Sequence, residues 1–170
     1  MGVGSNIDPE QHVLAAAELL GDRVELIGVS TFYRTAPVAR PEQPPFINGV
    51  FVFITELGPA QVKQLLGAVE AKLGRRRTED RHAPRTIDLD LLILGELVFN
   101  DGRLRLPDPD IRRRPFVGLP LLELAPDLIL PDTGEPLRRV AAALSGAGLE
   151  PDVALTAALR NKISGSAESL

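Results

Sequence analysis

The chain has 170 residues, 44% of them hydrophobic and 25% charged, with a formal net charge of −4. This is the balance of one ordinary globular domain with a sizeable core, and no bilayer-spanning run or signal-peptide pattern interrupts it. With no cysteine, disulfides and zinc–thiolate sites are excluded. The expectations are a cytoplasmic setting, a monomer, and no nucleic-acid or membrane partner.

In chain order, Met1–Val3 reads as a strand stub. It is shorter than a usual strand, which leaves open a trimmed strand or a natural start upstream. A helix follows from Pro9 to Leu20, with Asp8 as its N-cap. Val24–Thr35 reads as one long strand, because Val29, Thr31, Tyr33 and Thr35 suit a pleated surface. The Pro-rich segment Pro37–Pro45 is a loop, and Asn48–Glu56 is a second strongly β-prone run. Gly58-Pro59 opens a helix that carries Val62, Leu65, Leu66, Val69 and Leu73 on one stripe. A strand over 87–93 comes next, then a short hairpin around Asp101-Gly102. Short helices are predicted near 107–110, 116–124 and 140–144, and another over Asp152–Lys162. The order β-α-β-β-α-β predicts an α+β fold with a ferredoxin-like core, an antiparallel sheet with helices on one face, and C-terminal additions. Residues 1–163 would form a single domain, and 164–170 a flexible tail.

The densest chemistry lies in Pro84-Arg85-Thr86-Ile87-Asp88-Leu89-Asp90. Residues two apart on a strand share a face, so Asp88 and Asp90 stand side by side in an apolar run. Neighbouring desolvated carboxylates repel each other unless a cation lies between them, and hard oxygen ligands favour magnesium or manganese. Just upstream, Gly74–Arg85 holds five arginines. Set against Glu79 and Asp80 they make a local +3, which leaves the rest of the chain near −7. Positive charge is therefore focused at one place and not spread over a nucleic-acid-binding face. Only Lys63, Lys72 and Lys162 of the 19 basic residues are lysines. Bidentate phosphate recognition and a GC-rich genome account for that bias equally well. Carboxylates for magnesium beside arginine forks suit a polyphosphate substrate. No Gly-x-x-x-x-Gly-Lys-Ser/Thr is present, so this is not a P-loop nucleotide site.

Gly4-Ser5-Asn6, Ser30–Pro37, Gln43–Asn48, Glu70 with Gly74-Arg75, Pro84–Asp90, Arg114–Val117 and Pro120–Pro126 together resemble the 6-hydroxymethyl-7,8-dihydropterin pyrophosphokinases of folate biosynthesis. The resemblance spans about residues 4–132. It implies transfer of pyrophosphate from ATP to the hydroxymethyl group of the dihydropterin, leaving AMP. It further implies two magnesium ions on Asp88 and Asp90, with Asp90 also close to the attacking hydroxyl. Arg75 and Arg85 would clamp the phosphates, joined by Arg77. ATP would also meet Glu70, Arg103 and Arg114. The pterin would stack between Phe46 and Phe116, its edge read by Asn48 and by main-chain groups near Thr35 and Val38. Two positions depart from the family pattern. His82 replaces a bulky aromatic, and Asp108 replaces a histidine beside the triphosphate. Asp108 is expected to turn away and pair with Arg112, Arg113 or Arg114.

Two other classes compete. An RNA-binding module would need aromatics interleaved with basic residues on the sheet, whereas the 87–93 strand is acidic and aliphatic. A two-metal phosphodiesterase would need more ligands than Asp88 and Asp90 supply.

Overall fold

The structure, a computed structural model, describes residues 1–37, 41–76, 80 and 83–167. Its centre is β4 (Phe46–Ile54), a nine-residue strand carrying Ile47, Val50 and Phe51 buried. Antiparallel to it on one side lies β1 (Gly2–Ser5), which in turn pairs with β5 (Asp88–Asp90). On its other side, β2 (Glu25–Val29) and β3 (Tyr33–Thr35) pair with successive parts of β4. A two-residue β8 (Glu150–Pro151) extends the sheet beyond β3. The hairpin β6 (Phe99–Asn100) with β7 (Arg105–Leu106) forms a separate ribbon.

Three helices cover one face: α1 (Pro9–Gly21), α2 (Pro59–Lys72) and the C-terminal α6 (Val153–Ala167). Their Val13, Ala16, Leu20, Val62, Leu66, Leu155 and Leu159 meet Val3, Ile47, Phe51 and Leu89 of the sheet. Phe32 packs on Phe51 with ring centroids 5.4 Å apart. Gly49 makes this possible, since a Cβ there would lie 2.6 Å from the Phe32 ring. Burying each ring is worth about 1.5–3 kcal/mol.

The opposite face is not bare, as a one-sided arrangement would have it. The short helices α3 (Asp110–Arg113), α4 (Pro115–Leu124) and α5 (Leu137–Ala142) build a second core there. Val50 and Leu92 seed it, and Ile111, Leu121, Leu130 and Leu137 complete it. Helices α3–α5 leave part of that face open, and the site lies in the gap.

Four expectations need correction. The run 24–35 is two strands, because the backbone of residues 31 and 32 bonds away from β4. Thr31 N donates to the Glu123 carboxylate and Phe32 N to Thr156 Oγ1, while Phe32 O accepts from Asp152 N. The 87–93 strand is only β5: its partner β1 ends at the Gly2↔Asp90 pair, and Leu92 O instead accepts from Asp108 N. Asp8 precedes α1 but makes no side-chain cap, since its φ of 42° places it in the left-handed region. Helix α6 continues to Ala167, past the expected end at Lys162.

Candidate functional site

Strand register explains the site. Val3 and Leu89 point into the first core, so Gly2 and Gly4 of β1 and Asp88 and Asp90 of β5 face the other way. Gly4 lies between Asp88 on one side and Asn48 on the other. Gly2 likewise lies between Asp90 and Val50. Two residues without side chains thus form a trough between a carboxylate pair and an amide. Its walls close a cleft of about 470 Å³, lined by Thr35, Phe46, Asn48, Arg85, Asp88, Asp90, Asp108, Arg114 and Phe116 among others.

The carboxylates differ. Asp88 is gripped by Arg75 through Oδ1 and by Arg85 Nη1 at 2.5 Å through Oδ2. Although desolvation opposes ionisation, these two guanidiniums hold its pKa below the usual value. Asp90 has Lys63 Nζ at 3.8 Å as its ion-pair partner among the described residues. Desolvation, and then the charge of Asp88, raise its carboxyl to about 6. A carboxylate forced toward neutrality in this way would be relieved by a bound cation. Among the described residues no three His, Cys, Asp or Glu lie together as a metal site. Magnesium commonly takes one or two protein carboxylates and completes its shell with water and phosphate oxygens, and this donor set fits that habit.

Behind β5 sits Glu70, 3% exposed. Its Oε1 accepts from Leu89 N at 2.8 Å and from Arg75 Nη1 at 2.7 Å. The expected ATP contact is thus placed as a brace, fixing β5 and Arg75 from within the core, and neither Glu70 nor Arg75 lines the cleft. Arg103 lies on the exposed β6–β7 turn, its N–H bonded to Asp101 at 2.9 Å, away from the cleft. Val38, Arg77 and His82 lie outside the described residues.

On the other side of the trough, Asn48 Nδ2 donates to Thr35 Oγ1 at 2.8 Å. A Cβ on Gly4 would come 2.7 Å from Asn48 Oδ1, so the glycine is what lets the amide lie over β1. The guanidinium of Arg85 sits 5.8 Å from the Phe46 ring centroid, and that of Arg114 5.8 Å from Phe116. Each stacking candidate therefore borders an arginine that faces the anionic side.

Asp108 does not pair with the arginines that follow it. Arg112 bonds Asp132 at 2.8 Å, and Arg114 lies 3.6 Å from Asp110. The Asp108 carboxylate instead accepts from Asp110 N at 2.7 Å and lines the cleft, where desolvation raises its pKa.

Asn6, given no role from sequence, ties the two halves together. Its Oδ1 accepts from Arg85 N at 2.8 Å, while Nδ2 donates to Gln43 Oε1 at 3.2 Å and to Pro44 O at 3.5 Å. The exit of the arginine loop and the end of the Pro-rich loop thus share one side chain. The signal was a polar Ser5-Asn6 pair, both buried, at the end of a strand.

Fold and cleft together define the class: an α+β protein with a carboxylate–arginine site opening onto one face of an antiparallel sheet. The family model described as 7,8-dihydro-6-hydroxymethylpterin-pyrophosphokinase (HPPK) matches residues 1–126, and the chain belongs to that family. It is 39% identical over 153 residues to the 2-amino-4-hydroxy-6-hydroxymethyldihydropteridine pyrophosphokinase of Pseudomonas aeruginosa, covering 88% of this chain and 93% of that protein. The Synechocystis protein of the same name is 41% identical over 138 residues, or 79% of this chain and 70% of the relative. The Folic acid synthesis protein fol1 of Schizosaccharomyces pombe is 32% identical over 152 residues, which is 88% of this chain but 21% of that protein. No helix among the described residues is long and apolar enough to cross a membrane.

Proposed function

We propose that this chain transfers the pyrophosphoryl group of ATP to the hydroxymethyl group of 6-hydroxymethyl-7,8-dihydropterin, a step of tetrahydrofolate biosynthesis. The hydroxyl oxygen forms a bond to the β-phosphorus, the bond from that phosphorus to the α-phosphate oxygen breaks, and AMP leaves. One observation carries the reading. A single cleft is lined by Asp88, Asp90 and Arg85 together with Thr35, Phe46, Asn48 and Phe116.

Magnesium, two ions by family analogy, would be held by Asp88 and Asp90 and would neutralise triphosphate charge when bound. The remaining work falls to the chain. Arg85 and Arg114 orient phosphate oxygens, and Arg75 holds Asp88 in place from behind. Phe46 and Phe116 supply flat faces for the pterin, and Asn48 reads its edge through the Oδ1 that Gly4 leaves uncovered. Asp90 serves either the cation or the departing hydroxyl proton, and both roles need its ionised form. The strand order β5-β1-β4, with both β2 and β3 on the far side of β4, supports a ferredoxin-like core.

The test is product identity. With ATP, magnesium and the dihydropterin, AMP and the pterin diphosphate should accumulate together. ADP, or no dependence on the pterin, would overturn the assignment.

A further inference from the structure

Phe116 and Glu123 stand two turns apart on α4, about 10 Å along its axis and on nearly the same face. The Phe116 end lines the cleft, while the Glu123 end is bolted to the sheet and to α6. Glu123 Oε2 accepts from Thr31 N at 2.9 Å, and Oε1 accepts from Thr31 Oγ1 at 3.1 Å. Arg160 Nη2 of α6 donates to the same Oε1 at 2.8 Å, and Arg160 Nε reaches Val29 O at 3.3 Å. Thr31 lies in the break between β2 and β3, four residues before Thr35. One carboxylate therefore joins three elements: the helix that carries Phe116, the strand break that leads to Thr35, and the C-terminal helix beyond the family-matched residues 1–126.

A helix end held by charge-assisted bonds cannot rotate freely about its axis. Rotation of α4 would swing Phe116 toward or away from Phe46 and change the slot between them. The rest of α4 is held mainly by apolar packing on β4, α3 and α5, which tolerates small rotations more readily than directed hydrogen bonds do. We infer that Glu123, with Arg160 as its partner, is a positioning residue for the pterin slot, setting the Phe46–Phe116 gap from the far end of α4. This rests on the pterin assignment made above.

The test uses the full chain well below its melting temperature. Glu123→Gln and Arg160→Ala are each titrated with 6-hydroxymethylpterin by fluorescence, and separately with a non-hydrolysable ATP analogue plus magnesium. Pterin affinity should fall threefold or more in both variants, with nucleotide affinity within twofold of wild type. Melting curves should show cooperative folding. A merely structural clamp would lower the melting temperature and leave pterin affinity within threefold, and that result overturns the inference. So would equal losses for both ligands. Should Glu123→Gln fail to fold, Thr31→Val removes the hydroxyl bond alone and is read by the same thresholds. If wild-type protein binds no pterin, it is the proposed function that fails, which keeps the two failures distinct.

Discussion

Asp90→Asn should do two opposed things, abolishing turnover and stabilising the metal-free fold. The carboxyl of Asp90 is raised from its ordinary 3.8 to about 6 by desolvation and by Asp88. A fully sealed carboxyl with that rise would destabilise the ionised fold by about 3 kcal/mol. Its side chain is 53% exposed, however, so solvent screening reduces the figure to about 1 kcal/mol. The weak pair with Lys63 at 3.8 Å offsets little of it. Because the folded pKa lies above the unfolded one, native protein binds the extra proton between about pH 4 and 6. Wild-type stability therefore declines relative to the variant as pH rises through that window. In chelator at pH 8 the variant should melt about 2–4 °C higher, and near pH 4 the curves should converge. Scanning calorimetry at the two pH values checks this, with circular dichroism confirming the fold. A variant that melts lower at pH 8 would mean the carboxylate is a structural ligand of the fold. Turnover above about a tenth of wild type would remove Asp90 from the metal site, since a lost catalytic metal should cost several kcal/mol at the transition state.

Arg85→Lys keeps the charge but cannot grip Asp88 and a phosphate with one planar fork. A rate loss of about tenfold or more is expected, and an unchanged steady-state rate would make Arg85 a structural neighbour only. Gly4→Ala should displace the Asn48 amide, because the new Cβ would lie 2.7 Å from its Oδ1. Pterin affinity should fall about tenfold, a loss of about 1.4 kcal/mol, and equal fluorescence titrations would show that the amide does not read the ring. Asp108→Asn retains the acceptor for Asp110 N while deleting a negative charge from the cleft wall. MgATP-analogue binding should tighten by about 1 kcal/mol or less, whereas weaker calorimetric binding would show that the carboxylate supports the nucleotide.

What the sequence made legible follows local periodicity. Asp88 and Asp90 are two apart in an apolar run, so their common face could be read without knowing the fold. Phe46, Asn48, Arg85 and Arg114 reach the cleft with them. The break between β2 and β3 could not be read, since Val29 to Thr35 is β-prone throughout. The groups that pull its backbone out of the ladder lie 92 residues away at Glu123 and 124 away at Thr156. The bracing role of Glu70 was equally out of reach, since its burial depends on Leu89 N and Arg75 arriving from a distant strand and loop. Asp108 misled because nearness in sequence suggested arginine pairing, while Arg112 and Arg114 already had Asp132 and Asp110 as partners.

The distribution of compensation among the carboxylates carries one more step. Glu70 and Asp88 are both satisfied by Arg75, and Asp88 additionally by Arg85, so the carboxylates nearest the core are closely paired. Asp90 and Asp108, which face the cleft, have no comparably close cation among the described residues, and both have raised pKa values. A fold selected for stability alone would place its pairing where burial is mixed with exposure, or would replace both residues with neutral ones. Leaving two neighbouring anions under-compensated breaks a local rule at one place, and such breaks belong to functional sites. What would restore balance there is positive charge brought by a ligand. Arg75 and Arg85 do not supply it, because both are paired with Asp88.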